Sequence, residues 1–485
     1  MVTMLAGLML ISGLGGYFTW DIEPRAMVRW TGQEWDEYAD ISDGWWDFTR
    51  CPLDVNQATA CQLSALPGFE PDAAREVIRE RLRRGRFAGA DDLARRVKLP
   101  GVTMAQVRDL LTFGEPAPLR ARVHMQANRR FGAGSERDAR RYDGSPLSLT
   151  QRWRLAGRGF EVAAVVDKDA FEPSVADLVR LSLVWKNAWG TLLLGDFHIT
   201  AGSGAALWTK PVFFRNFDAP GSYRPVARGI QPAGDTEQNS ARRGIAFNRC
   251  RRGLDLNLFV ARTTLDAVVD DSLGVQRLSE NGLHRSPGER RKRGAVQETA
   301  VGGSLTRVWE VTVDFEPALG VSGYIADLSP SLNPQEDPRD LRPLRGARCG
   351  AVGVNGALTL DRAAFRWEIA ADHRGCVAWL AATRFEAPGP PRISMDGSVF
   401  CFSPEYANPN ARRIFAGTPP RNRFGAALLV SGRSRFGFIE DWRTHVEVVR
   451  RPWRAFTEPM PETSHRESAE FTFRFTSHSR LAVRF

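Results

Sequence analysis

Two proline-glycine corners, with arginines between them, are the residues best suited to chemistry in this 485-residue chain. They are Leu66-Pro67-Gly68 and, 33 residues on, Leu99-Pro100-Gly101. A glycine at such a corner lets bare backbone approach a phosphate, whose oxygens accept the exposed N–H groups. Arg79, Arg81, Arg83, Arg84 and Arg86 lie between the corners and supply cations. The chemistry these residues suit is anion recognition, with double-stranded DNA the natural polyanion. Covalent chemistry has no comparable signature. The chain lacks a G-x-S-x-G elbow, an H-E-x-x-H pair and a phosphate-binding P-loop. Its seven histidines show no ligand spacing, and none of its six cysteines forms a C-x-x-C pair. No catalytic residue, metal or cofactor is therefore expected, and a non-enzymatic role follows. Gly202-Ser203-Gly204 reads as a turn, and His284 beside Arg285 as exposed loop chemistry. Cys51 and Cys61 are spaced to form a disulfide in an oxidising compartment; free buried thiols are the alternative.

The corners need helices to hold them. Ala60, Leu63 and Leu66 recur at helical spacing, with Asn56 or Thr59 placed to cap the helix. A second helix is predicted from about Pro71 to Arg83, with Ala74, Val77, Ile78 and Leu82 on one face, ended by Gly85. Asp91 or Asp92 opens a third helix, and Met104, Val107, Leu110 and Leu111 mark a fourth. Residues 52–116 thus have the layout of a tandem helix-hairpin-helix module, and Leu53–Phe113 resembles that of ComEA-like DNA receptors. The resemblance implies backbone contact with duplex DNA. In that family a second glycine usually follows two residues after the first; here Glu70 and Thr103 stand there. Asp72 and Ala73 occupy positions where bases often follow, and Glu76 and Glu80 interleave the arginines. DNA contact through Gly68, Gly101 and the five arginines therefore competes with a plainer reading, a helical unit that docks a protein partner or the mouth of the following domain.

What precedes the module would not approach DNA. Residues 21–50 carry eight acids against three bases, among them Trp30, Trp35, Tyr38, Trp45 and Trp46. Residues 21–51 are read as an acidic aromatic linker, and the apolar stretch within residues 1–20 as a signal peptide, although no base precedes Arg25. The module itself is near neutral, so the net charge of +10 resides in the remainder. Arginine supplies 61 of the 66 basic residues across the whole chain, a bias that codon usage or phosphate binding could each produce.

From residue 117 the hydrophobic period changes to two. Val179, Leu181, Leu183 and Trp185 alternate with Leu178, Arg180, Ser182 and Lys186; Leu254, Leu256, Leu258 and Val260 alternate with Asp255, Asn257, Phe259 and Ala261. Similar rows run through residues 119–126, 160–166 and 471–476. Three features point to a transmembrane barrel: segments of 8–11 residues, arginines on the faces that would turn inward, and aromatic residues near strand ends. Trp153, Trp185, Trp189, Trp208, Trp379 and Trp442 are the expected girdle. The C-terminal Leu481–Phe485 resembles the strand read by the outer-membrane assembly machinery. Long connections at 208–243, 328–348 and 403–422 suit a plug or an external surface.

Leu194-Gly195-Asp196-Phe197, the run Gly202–Trp208, Arg243-Gly244, Gly282-Leu283-His284-Arg285 and Glu298 carry a second resemblance. They are similar to an uncharacterised family, from Bacteroidota and related bacteria, that joins a helix-hairpin-helix module to an outer-membrane-type barrel. The resemblance implies architecture and location but no activity. The expected chain is an α+β multidomain protein: a small all-α tandem module, then an antiparallel transmembrane β-barrel of about 14–16 strands over residues 117–485. Outer-membrane lipid surrounds the barrel in this reading. The module sits in the periplasm, where its partner is a protein or duplex DNA.

Overall fold

The computed structural model describes Tyr17 and Phe18, most of residues 53–113 and, with short breaks, residues 119–484. The corner residues Gly68, Glu70, Gly101 and Thr103, the pair Cys51 and Cys61, and the acidic aromatic segment fall outside the described residues.

The module forms because its apolar stripe has somewhere to go. Helix α1 (Pro71–Arg84) has Pro71 in its first turn, where the missing N–H costs nothing, and ends before Gly85 at φ +80°. Helix α2 (Ala90–Arg96) carries Asp91 and Asp92 in its first turn and Arg95 and Arg96 in its last, matching the helix dipole. Ala74, Val77, Ile78, Phe87, Leu93, Val97 and Leu110 bury together with Val55, Leu63 and Leu66. Leu53–Asp54 pairs in parallel with Leu111–Thr112, which joins the two ends of the module.

Among the described residues, seventeen strands make the wall of the second part, slightly more than the sequence rows suggest, with Gly229–Pro232 added beside Phe197–Thr200 and a small hairpin at 267–278. They are β1 (Arg120–Arg129), β2 (Leu147–Gly157), β3 (Phe160–Lys168), β4 (Leu178–Asn187), β5 (Gly190–Thr200), β6 (Arg242–Arg251), β7 (Leu254–Leu265), β8 (Val296–Val308) and β9 (Phe315–Leu332). Then come β10 (Gly346–Leu360), β11 (Ala363–Asp372), β12 (Val377–Glu386), β13 (Arg392–Phe402), β14 (Arg423–Arg433), β15 (Ile439–Arg451), β16 (Glu462–Arg474) and β17 (Arg480–Arg484). Each pairs antiparallel with the next, and the strand order sets β17 beside β1, so the sheet returns on itself.

The two ends of the sheet differ. At one end the connections are two to six residues long, such as 158–159, 188–189, 252–253 and 361–362. At the other lie 130–146, 201–241, 266–295 and 403–422. Strand β1 starts at the short-turn end, seven residues after Phe113, so the chain passes from the module into the barrel there.

The sheet is inside out relative to a water-soluble protein. On β4, Leu181 is 56% exposed while its neighbour Arg180 is 3% exposed. The same alternation exposes Leu258, Val260, Val352, Ile369 and Val399 and buries Asn257, Glu368, Asp396 and Glu447. Exposing apolar surface to water costs about 25 cal/mol per Å². A face lined with leucine, isoleucine and valine around charged walls is favourable only in lipid. Trp185, Trp189, Trp309 and Trp379 are exposed on or beside strand ends, as an interfacial girdle requires. Trp208 departs from that expectation: it lies in a long connection and is buried.

Candidate functional site

The long connection after β5 turns into the lumen because it is built from small residues. Gly202 has φ +55° and Gly204 φ +93°, backbone that L side chains rarely adopt. These turns aim successive N–H groups at one point. The Ser203 and Gly204 N–H groups donate to Glu368 Oε2 at 2.6 and 2.7 Å, and Ala206 N–H donates to Oε1 at 2.8 Å. Glu368 stands on β11 with no solvent exposure. A carboxylate in low dielectric is costly unless its oxygens are filled, and here three backbone donors fill them. Small side chains are required on both surfaces: a Cβ at Gly353 on β10 would come within 2.8 Å of the Ala206 Cβ.

A second connection, after β13, packs onto the first. Asn408 Nδ2 donates to the carbonyls of Ala205 at 2.9 Å and Ala206 at 2.8 Å, and the Tyr406 hydroxyl donates to Ala205 at 2.8 Å. Arg412 N–H donates to the Gly204 carbonyl at 2.7 Å, and Trp208 N–H donates to the Asn410 carbonyl at 2.7 Å. The wall reaches in to meet them: the Tyr324 hydroxyl donates to Asn408 Oδ1 at 2.7 Å, and Asp372 Oδ2 accepts Ala407 N–H at 3.0 Å. Ala205, Ala206, Leu207, Tyr406 and Ala411 then share one buried cluster with the wall residues Phe197, Ala351, Ala370 and Phe402. Among the described residues, these two segments form a plug, a dry polar-pinned core inside the barrel.

The described remainder of the β5–β6 connection is fastened by charge around Asp235. Asp235 takes Arg180 at 2.8 Å, Ser240 Oγ at 2.9 Å and His198 Nε2. The Thr209 hydroxyl lies 3.5 Å from His198 Nδ1, so hydroxyl, imidazole and carboxylate stand in a row. All three groups are buried, and Thr209 Oγ1 accepts the Ile199 N–H at 2.9 Å. This row packs the connection against its own strand.

At the long-loop end, His284 is the keystone of a loop contact. The 266–295 connection supplies it, and it is buried. Its Nδ1 lies 2.5 Å from Asp177 Oδ2 and its Nε2 3.0 Å from Asp266 Oδ2. Burial pulls the imidazole down, but hydrogen bonds to the two aspartates outweigh it and hold its pKa up at about 9. The reading of His284 as exposed loop chemistry is thereby corrected. A histidine next to an arginine looks solvated in sequence, whereas the aspartates that bury it lie 107 and 18 residues away.

In the module, two arginines serve the fold. Arg81 donates to the carbonyls of Val55 at 3.0 Å and Ala58 at 2.8 Å. Arg96 donates to Glu80 at 2.5 Å and Gly85 at 3.1 Å, satisfying carbonyls at the end of α1, and stacks 4.1 Å from the Phe87 ring. Arg79 pairs with Glu76, Arg84 lies 3.4 Å from Glu80, and Arg83 is at 3.9 Å from the same carboxylate. Arg83, Arg84 and Arg86 are exposed. The expected cap is also displaced. Asp54 Oδ1 accepts Asn56 N–H at 2.9 Å, while the Asn56 side chain bridges Phe87 and Phe113: it donates to their carbonyls and accepts Phe87 N–H at 2.8 Å. Asn56 thus ties the joint between the two hairpin units to the module's end.

Residues 50–112 match the family model described as helix-hairpin-helix motif. No curated protein matches the chain. Among solved structures, it is similar to Wzi of Escherichia coli, an outer-membrane protein described as a carbohydrate-binding β-barrel involved in group 1 capsule assembly. The identity is 11%, coverage 92% of each chain and the TM-score 0.40. It is similar also to OpdQ of Pseudomonas aeruginosa, at 11% identity over 70% of this chain and 86% of that one, with a TM-score of 0.30. An anion-selective porin from Comamonas acidovorans matches at 8% identity over 70% and 88%, with a TM-score of 0.31. The chain joins a helix-hairpin-helix motif to an outer-membrane-type β-barrel.

Proposed function

We propose that this protein is a plugged, non-enzymatic outer-membrane barrel whose helix-hairpin-helix module projects into the periplasm and docks a protein partner there. One observation carries the reading: the module enters the barrel at the short-turn end. Single-chain outer-membrane barrels keep short turns on the periplasmic side and long loops outside. The exposed apolar band supports the membrane setting, and the Glu368 pin supports a lumen held closed. The test is protease accessibility in the native host. The module is expected to survive protease added to intact cells and to be cleaved once the outer membrane is permeabilised, while the barrel band shifts mobility on heating. Cleavage of the module in intact cells, or a soluble protein without a heat shift, would sink the proposal.

Duplex DNA is the second reading, favoured by the family match over residues 50–112. The partner-docking reading rests on the bases themselves: Arg81 is committed to backbone carbonyls, and Glu76 and Glu80 sit beside Arg79, Arg83 and Arg84. Charge reversal at Arg79, Arg83 and Arg86, scored by duplex-DNA affinity across a salt series, separates the two. Each phosphate neutralised contributes a slope of about 0.9 in log affinity against log salt. The docking reading expects weak affinity that the reversals do not change. A steep slope that they flatten would establish DNA contact.

A further inference from the structure

Glu172 is a buried carboxylate that, among the described residues, makes no ion pair. It stands in the 169–177 connection at 1% exposure. Its oxygens accept two backbone N–H groups, from His284 and Asp169, each at 2.9 Å. Among the described residues, no basic side chain is within ion-pair distance of it. Buried carboxylates are normally paired or bound to a metal, and two ligating side chains lie beside this one. Ligand atoms of Glu172, Asp177 and His284 all fall within 4.8 Å of one another, and all three residues are buried.

The surroundings orient these groups as a metal site requires. Asp266 Oδ2 takes His284 Nε2, which leaves Nδ1 as the nitrogen on the Asp177 side. A carboxylate on the far nitrogen is the usual support of a metal-bound histidine. Asp266 is itself held, since its Oδ1 accepts the Gly294 N–H at 2.8 Å. Arg293 holds Asp177 Oδ1 at 3.1 Å, leaving Oδ2 toward the imidazole.

We propose that Glu172, Asp177 and His284 Nδ1 bind a divalent first-row cation, zinc by the match of one imidazole and two carboxylates, with water in the fourth position. Zinc–nitrogen and zinc–oxygen bonds of about 2.0–2.2 Å require ligand atoms about 3.3 Å apart, so the 2.5 Å contact of Nδ1 with Asp177 Oδ2 opens on binding while the set, now within 4.8 Å, draws together. On binding, the proton between Nδ1 and Asp177 leaves to solvent, and Nε2–H stays with Asp266. The ion would fasten the 169–177 loop to the 266–295 loop at the long-loop end.

The experiment uses the full chain in detergent, stripped with chelator and titrated with cobalt(II), whose visible ligand-field band reports coordination. A band saturating at one equivalent, abolished by Glu172→Gln or Asp177→Asn and displaced by zinc, is expected. Asp266→Asn, which removes only the supporting carboxylate, is expected to weaken affinity about 10–100-fold. Heat-shifted mobility of each variant confirms that the barrel remains folded. Absence of the band in the wild type overturns the proposal with no variant needed. So does a band that survives both ligand substitutions, which would place cobalt elsewhere.

Discussion

Replacing Glu368 with alanine is expected to turn a silent barrel into a conducting one. In planar bilayers the wild type should show little current, and Glu368→Ala should open steps at least several-fold larger. Glu368 holds three backbone N–H groups of the β5–β6 connection. Hydrogen bonds to a charged group contribute about 1.5–3 kcal/mol each. Removing the carboxylate also leaves those donors unpaired in a dry core, which adds a desolvation cost. The wall should tolerate the change, because the strand ladders around β11 run through its backbone and not through this side chain. Glu368→Gln keeps one carbonyl acceptor and should give an intermediate conductance. Equal currents from wild type and Glu368→Ala, with both barrels shifting on heating, would show that the pin does not close the lumen.

Leu181→Arg tests the membrane setting. The neighbouring Arg180 is accommodated because it turns inward to Asp235 and the Ser240 hydroxyl. One residue on, the same side chain would face lipid. An arginine on the lipid face near the bilayer midplane costs about 2–4 kcal/mol. Urea unfolding of the variant in lipid vesicles should show that loss, with a smaller heat-modifiable fraction in cells. A water-soluble sandwich would gain solubility from the substitution, and unchanged stability in vesicles would contradict a lipid-facing Leu181.

These two residues also mark what a single sequence discloses. Leu181 belongs to a row of period two, and such a row is local, so the barrel wall was legible where such rows ran, at 119–126, 160–166, 178–186, 254–261 and 471–476. Even the division of labour within each strand followed from arginine on one face and leucine on the other. Glu368 was not legible. It is one acid in an alternating strand, and its partners lie 162 to 165 residues away. The run Gly202–Trp208 did signal a turn, but only the fold shows that small residues there let two backbones and a carboxylate meet. Trp208 was misplaced for the same reason: a tryptophan beside a strand end looks like a girdle residue until its loop is seen to turn inward. In the module, spacing gave the buried face of α1 at Ala74, Val77 and Ile78 but misplaced Leu82, which is exposed at the helix end, and Leu111, which pairs with Leu53 as strand rather than helix. The roles of Arg81 and Arg96 could not be read, because a guanidinium bound to a carbonyl and one left in water have the same sequence context.

The remote pairing of Ser203 with Glu368 has a consequence for assembly. Apart from the closing contact of β17 with β1, each ladder in the wall joins strands that are neighbours in the chain, so the wall can grow hairpin by hairpin with little loop entropy to overcome. The plug cannot. Its first half is made before β6 and rests on its own strand β5, yet it has no anchor on the far wall until β11 is in place and no cover until the segment after β13 arrives. Docking of the plug is therefore the high-contact-order, late event. The expected order of assembly is an inserted barrel with an open lumen first and closure by the plug last.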